Sequence, residues 1–310
     1  MADIEDRHTL GELAARQLAN TTKTPPQMTA ITPRWLVTWM PWTPVEAGTY
    51  RVNKVVAPFG ETGADVQCPG GEEVELPEIF VNYEEKPREY TLSALTTVVD
   101  VQTRVSDLYR SPYDQIREQL RLTIEKIKER QERELLYNAE YGLLNQIDSN
   151  MRITSRTGPP TPDDLDELIA KVWKEPAFFL AHPRTIAAFG RECTLRGVPP
   201  ATITAFGNPF LTWRGIPLVP CDKFAIDDER SSILLLRAGE KKQGVTGLFQ
   251  PGLPGEVQPS LSVRFMGINR KAVASYLISL YCSVAVLTED AIGILENVNV
   301  ASYPEYSNKK

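Results

Sequence analysis

At 310 residues and 34.7 kDa, with 42% apolar residues, the chain can bury a sizeable core in one large domain or two closely packed ones, without disulfide or metal staples. Its net charge of −6 and isoelectric point near 5.3 disfavour a dedicated nucleic-acid binder, which needs clustered Lys and Arg to neutralise phosphates. Cys68, Cys193, Cys221 and Cys282 are widely spaced and form no C-x-x-C pair, so they suggest neither a zinc ribbon nor a disulfide framework and fit a reducing cytoplasm. The acidic start Met1-Ala2-Asp3-Ile4-Glu5-Asp6 lacks an apolar h-region, which argues against general secretion.

The first fifty residues carry Trp35, Trp39 and Trp42, yet Pro25, Pro26, Pro33, Pro41 and Pro44 cut them into pieces too short to fold alone. Such an arm packs on the chain's own body or on a neighbouring subunit. An inter-subunit anchor is favoured over a base-stacking platform, because few basic residues interleave with the rings. Tyr50–Val56 alternates as a strand, Gly60, Gly63, Pro69, Gly70 and Gly71 mark an acidic tip, and Ile79–Tyr83 and Tyr90–Leu92 return, which predicts a long projecting β-hairpin.

Ser111 as N-cap, Pro112 at the first helical position and Asp114 in the first turn open a long helix running to about residue 140. Ile116, Leu120, Ile124 and Ile127 form its apolar stripe. The other faces, with Arg121–Glu125 and Glu129–Arg133 at i,i+4 spacing, predict a solvated surface. After the break at Gly158-Pro159-Pro160, Thr161, Pro162 and Asp164 cap a helix with Leu165, Leu168, Ile169, Val172 and Trp173 on one face. A short buried strand, Phe178–Ala181, and a helix from Pro183 to about Arg196 follow. Turn-rich stretches at 197–200 and 206–209 then lead to strands at Leu211–Pro220 and Ile233–Leu236, an α/β insert. Leu261–Phe265 and the run from Ala272 to Leu287 close the chain as strands. That run is uncharged but shorter than the roughly 20 residues that span a bilayer, and it is rich in β-branched and aromatic types.

Arg16-Gln17-Leu18-Ala19-Asn20-Thr21-Thr22-Lys23-Thr24, Ile31-Thr32-Pro33-Arg34-Trp35-Leu36, Pro44-Val45-Glu46-Ala47-Gly48, Tyr90-Thr91-Leu92, Arg104–Tyr109, Gln119–Glu125, Trp213–Pro217 and Gly247–Leu253 closely resemble the wording of family-two encapsulin shell proteins. The element order is similar to the tailed-phage major capsid fold of the Hong Kong ninety-seven type, an α+β architecture. The resemblance implies an N-terminal arm at 1–49, an extended loop at 50–95 and a peripheral domain with a spine helix at 96–159. An axial domain at 160–255 and peripheral return strands with the C-terminus at 256–310 complete it.

The resemblance further implies a structural protein and not an enzyme, assembling from about sixty copies into an icosahedral nanocompartment that encloses a cargo enzyme in the cytoplasm. A family subtype with a cyclic-nucleotide-binding domain needs about a hundred more residues. The other subtype usually encloses a cysteine desulfurase, whose pyridoxal phosphate belongs to the cargo. The implied arm contacts between subunits are Leu13, Leu18, Trp35, Trp39 and Trp42, and the implied five-fold pore loop is Gly197, Val198, Pro199, Pro200, Phe206, Gly207 and Asn208. The alternatives are a phage or prophage capsid protein packaging DNA and a membrane-associated antigen, the latter resting on residues 272–287.

No catalytic, cofactor-binding or metal-ligating set emerges. His8 and His182 are far apart, and His182, just before Pro183, reads as a packing or hydrogen-bonding residue. Cys193 has no evident orienting partner, and Gly239-Glu240-Lys241-Lys242-Gln243-Gly244 has the wrong order for a phosphate loop and reads as a turn between strands.

Overall fold

A computed structural model describes residues 13, 31–53, 55–56, 82–83, 85–102 and 115–303. The described arm enters at residue 31. Pro33 and Pro41 bracket a single short helix, α1 (Trp35–Trp39), as proline chemistry dictates, and β1 (Trp42–Pro44) follows. β2 (Thr49–Val52) pairs antiparallel with β5 (Arg88–Thr91), and β3 (Val55–Val56) with β4 (Asn82–Tyr83). These two ladders are the stem of the expected hairpin; its tip lies outside the described residues.

β6 (Ser93–Gln102) precedes α2 (Gln115–Tyr137), whose expected cap at Ser111, Pro112 and Asp114 also lies outside the described residues. β7 (Arg152–Thr154) and α3 (Pro162–Lys171) come next, α3 opened by the predicted capping box between Thr161 and Asp164. β8 (Phe178–Ala181) is buried throughout and runs into α4 (Pro183–Leu195). The remaining strands are β9 (Ala201–Ala205), β10 (Asn208–Trp213), β11 (Ile216–Pro220), β12 (Arg230–Leu236), β13 (Val245–Phe249), β14 (Glu256–Gln258), β15 (Leu261–Ile268), β16 (Val273–Val286) and β17 (Ile292–Asn299).

Two large sheets organise these strands. In the six-stranded one, the fourteen-residue β16 pairs with β6 along 273–282, with β15 along 274–280 and with β13 along 282–286. The uncharged 272–287 run is therefore the central strand of a sheet, bonded on both edges. Among the described residues no helix is long and apolar enough to cross a membrane. α2 lays Leu120, Ile124 and Ile127 against Leu95, Val99, Leu261, Val263, Ile278 and Leu280 of this sheet, as its stripe predicts.

The seven-stranded sheet runs β7-β17-β12-β8-β11-β10-β9, with α3 and α4 packed on it through Leu165, Leu168, Val172, Phe189 and Cys193. Trp173, expected on that buried face, is 68% exposed because α3 ends before it and Lys174 turns off to Asp290.

Sheet membership departs from chain order at two places. β13, placed by the sequence with the axial insert, pairs in the six-stranded sheet, and β17, placed with the return strands, pairs with β12 and β7 in the seven-stranded one. The chain changes sheet twice, through the connection at 287–291 between β16 and β17 and through the turn at 239–244. There the chain passes from β12 of one sheet to β13 of the other, through a one-turn 3₁₀ segment over Glu240–Lys242 and not a phosphate cradle.

Candidate assembly surfaces

The arm meets the body along one side of α2. Glu125, Glu129 and Glu132 stand at i, i+4 and i+7, so they share a face, and that face carries the arm. Arg34 reaches Glu125 at 2.6 Å, while the Thr32 amide and hydroxyl donate to Glu129 at 2.9–3.1 Å. Lys223, from the β11–β12 connection, closes on the same Glu129 carboxylate at 2.8 Å and on Asp222 at 2.8 Å. Burial opposes its charge, but Lys223 and the Thr32 donors prevail and hold the Glu129 carboxyl below its ordinary range. Burial likewise opposes the charge of Lys223, and Asp222 and Glu129 outweigh it and raise that ammonium. Glu132 is 1% exposed and accepts the Leu36 N–H at 3.0 Å. The predicted solvated face of α2 is thus a seam, and the expected pairs Arg121–Glu125 and Glu129–Arg133 give way to Arg121–Glu118 and Arg130–Glu134.

Beyond the seam the arm enters the main core. Leu36 and Met40 are buried with Leu135, Leu136, Phe178 and Leu218. Trp35 and Trp39 stack edge-on to Phe210 with centroids 5.2 and 5.5 Å apart, and Trp39 also meets Phe206 at 5.3 Å. Trp42 donates its indole N–H to the Val37 carbonyl at 2.9 Å and lies flat over Gly247, while β1 pairs in parallel with β13. Trp35, Trp39 and Trp42, expected as inter-subunit contacts, pack in part on the chain's own body, and each keeps part of its surface uncovered. Leu13 is 77% exposed, and Leu18 lies outside the described residues.

The hairpin stem is tied to the body at its base. Gly48 donates to Gln250 at 3.1 Å, Tyr50 to Glu240 at 2.9 Å, and Tyr90 to the Val286 carbonyl at 2.7 Å, while Arg88 pairs with Glu289 at 3.1 Å. Burial, then the bond to Glu240, pushes the Tyr50 hydroxyl up to about 12, so it donates throughout the physiological range. A groove of about 580 Å³ lies along the first half of α2, walled by Ile116, Leu120, Ile124, Val257 and Val263.

The residues expected at a pore are not brought together as one loop. Gly197–Pro200 follow α4, and Phe206–Asn208 form the β9–β10 turn, so five residues of strand, roughly 17 Å, separate them. Phe206 and Gly207, at φ 49° and 74°, make the left-handed two-residue turn of a tight hairpin. Phe206 is engaged with Trp35 and Trp39. β9 itself was legible only in Thr202-Ile203-Thr204, whose β-branched run is masked by the flanking Pro and Gly residues. Among the described residues it is a sheet edge, and Leu195, Val198, Ile203 and Phe206 stand exposed around it.

Cys193, Cys221 and Cys282 are buried, and burial pushes all three thiols up, to about 11 for Cys193 and about 12 for Cys282. His182 caps α4, its Nδ1 accepting the Arg184 N–H at 3.0 Å; burial, then Arg184, lowers its pKa. Among the described residues no three His, Cys, Asp or Glu side chains are placed to hold a metal.

Comparison with known proteins gives one consistent result. The family model "Type 2A encapsulin shell protein SrpI-like" matches residues 50–302. The chain is 62% identical over 306 residues to the type 2A encapsulin shell protein SrpI of Synechococcus elongatus, covering 99% of both, and 59% identical over 297 residues to a type 2A shell protein of Mycolicibacterium paratuberculosis, covering 96% of both. It superposes with a TM-score of 0.82 on the cryo-EM structure of the holo-SrpI encapsulin complex of Synechococcus elongatus, at 61% identity over 96% of this chain and 99% of that one. The capsid protein of a native gene transfer agent particle shares the fold alone, at 14% identity and a TM-score of 0.59 over 86% and 91% of the two chains.

Proposed function

This chain belongs to the type 2A encapsulin shell proteins, and from that premise we propose that about sixty copies close into an icosahedral compartment around a cysteine desulfurase. The chain is a shell subunit of a nanocompartment, not an enzyme, and its fold is that of the tailed-phage capsid proteins. The observation that carries the proposal is the near-complete match to a relative whose solved assembly is described as a holo complex, which supports a shell with a guest inside. The guest's identity rests on the subtype. Its pyridoxal phosphate and its sulfur chemistry would belong to the guest, since the described cysteines here are buried and their thiols raised. We place the compartment in the cytoplasm.

Within the shell, the arm contacts between subunits would be Leu13, Leu18 and the uncovered parts of Trp35, Trp39 and Trp42. Gly197–Pro200 and the exposed Phe206–Asn208 turn, at the two ends of β9, are the segments offered to border a five-fold opening. The test is expression of the chain alone and together with a candidate desulfurase. Size-exclusion chromatography should show megadalton particles in both cases, with sulfur release co-eluting with particles only in the second. A monomer or dimer peak would sink the shell size proposed, and desulfurase eluting wholly apart from particles would remove the guest.

A further inference from the structure

Glu132 is an ionisable group in a place that does not suit its charge. Arg34, the residue before α1, sits in the left-handed region at φ 50° and offers no side-chain bond to the helix, so the Leu36 N–H depends on an acceptor from elsewhere. Glu132 supplies it at 3.0 Å from a fully enclosed position among Leu36, Leu135 and Leu136 of the main core. The charged groups around it are otherwise committed. On α2, Glu129 is neutralised by Lys223, and on the arm Arg34 turns to Glu125. From the β11–β12 connection, Lys223 favours the Glu132 charge but is shared by Glu129 and Asp222, Asp222 opposes it, and Cys221 is a buried neutral neighbour. Among the described residues Glu132 makes no ion pair of its own, unlike Glu129 three residues earlier.

We propose that Glu132 makes the docking of residues 32–40 onto α2 proton-linked, so that the arm is held most tightly when this carboxyl is protonated and loosens when it ionises. Burial, against the Leu36 N–H and Lys223, pushes the carboxyl up to about 7, from an ordinary value of 4.5 for a solvated glutamate. The sign follows. The docked state binds the proton more tightly than the undocked one, so the contribution is fully present below about pH 4.5, is lost progressively as pH rises, and is gone above about 7. A protonated carboxyl still offers its carbonyl oxygen to Leu36, so the bond survives while the cost of an enclosed charge disappears. Over that window the docking constant should change on the order of tenfold to a hundredfold.

The test is hydrogen exchange with mass spectrometry on assembled particles between pH 5 and 8.5, reading peptides over residues 32–40 and correcting for the intrinsic pH dependence of exchange. Wild-type protection should fall about tenfold to a hundredfold between pH 5 and 7.5 and then level off. Glu132→Gln keeps an acceptor and loses the charge, so its protection should be flat and exceed wild type at pH 8. Glu129→Gln, which removes a paired charge and leaves Lys223 freer to favour an ionised Glu132, should lower protection and move the fall toward lower pH. Corrected wild-type protection that does not vary with pH overturns the proposal even if no variant folds, as does a Glu132→Gln profile that follows wild type. Particle size on the same samples reports assembly separately, so failure of the shell reading and failure of the proton link give different results.

Discussion

Gly247 marks a close approach of arm and body. A Cβ built there would lie 2.6 Å from the Trp42 ring, and the ring has nowhere to go because its indole N–H is tied to Val37 and β1 is bonded to β13. Gly247→Ala should therefore cost about 1–3 kcal/mol by overpacking. Differential scanning fluorimetry should show a lowered melting temperature with near-unchanged particle size, and a variant as stable as wild type would mean that Trp42 is not seated there. Nothing in the sequence separates Gly247 from the other glycines, since what makes it essential is a ring some two hundred positions earlier. The acids of α2 were illegible for a similar reason. Glu125, Glu129 and Glu132 have the spacing of a solvated face, and only the arm, 91 to 97 residues away in sequence, turns them into a seam.

At the scale of elements, the helices and buried strands were readable because their signals are local: the Thr161–Asp164 capping box, the Ile116–Ile127 stripe, the apolar Phe178–Ala181 run. β9 and the sheet assignments of β13 and β17 were not, because an edge strand has little to bury and sheet partners are chosen by long-range packing. The arm divides in the same way. Removing residues 1–30 should leave a folded body, and any loss should appear in assembly. Removing residues 1–44 strips Leu36 and Met40 from the core as well as β1 from its sheet, and each buried side chain is worth about 1.5–3 kcal/mol. Set against a typical domain stability of about 5–15 kcal/mol, the longer truncation should be unstable or insoluble. Circular dichroism melts and chromatography of the two truncations check this; equal melting temperatures would show the 31–44 segment to be dispensable.

At the scale of the whole molecule, the resemblance in wording located the fold and the family, while the position of the arm on its own body came only from the coordinates. The charge of −6 per chain, multiplied over a shell, leaves little to offset packaged phosphate. Nuclease-treated particles should give a 260/280 nm absorbance ratio of protein and not of nucleic acid, and protected DNA inside them would move the assignment toward a genome-packaging capsid. The parallel pairing of β1 with β13 carries a consequence for how the chain folds in a living cell. Thr43 and Thr246 share a hydrogen bond of 2.8 Å across 203 residues of chain. At ordinary synthesis rates of about 5–20 residues per second, a nascent arm waits roughly 10–40 s for its site to be made. Until then β1 has no partner strand and Trp42 has no seat over Gly247, so the arm cannot be fully docked while the chain is still being made. Translation thus sets an order of folding: the first strand of this sheet waits for one made some two hundred residues later, and the N-terminal segment is seated late.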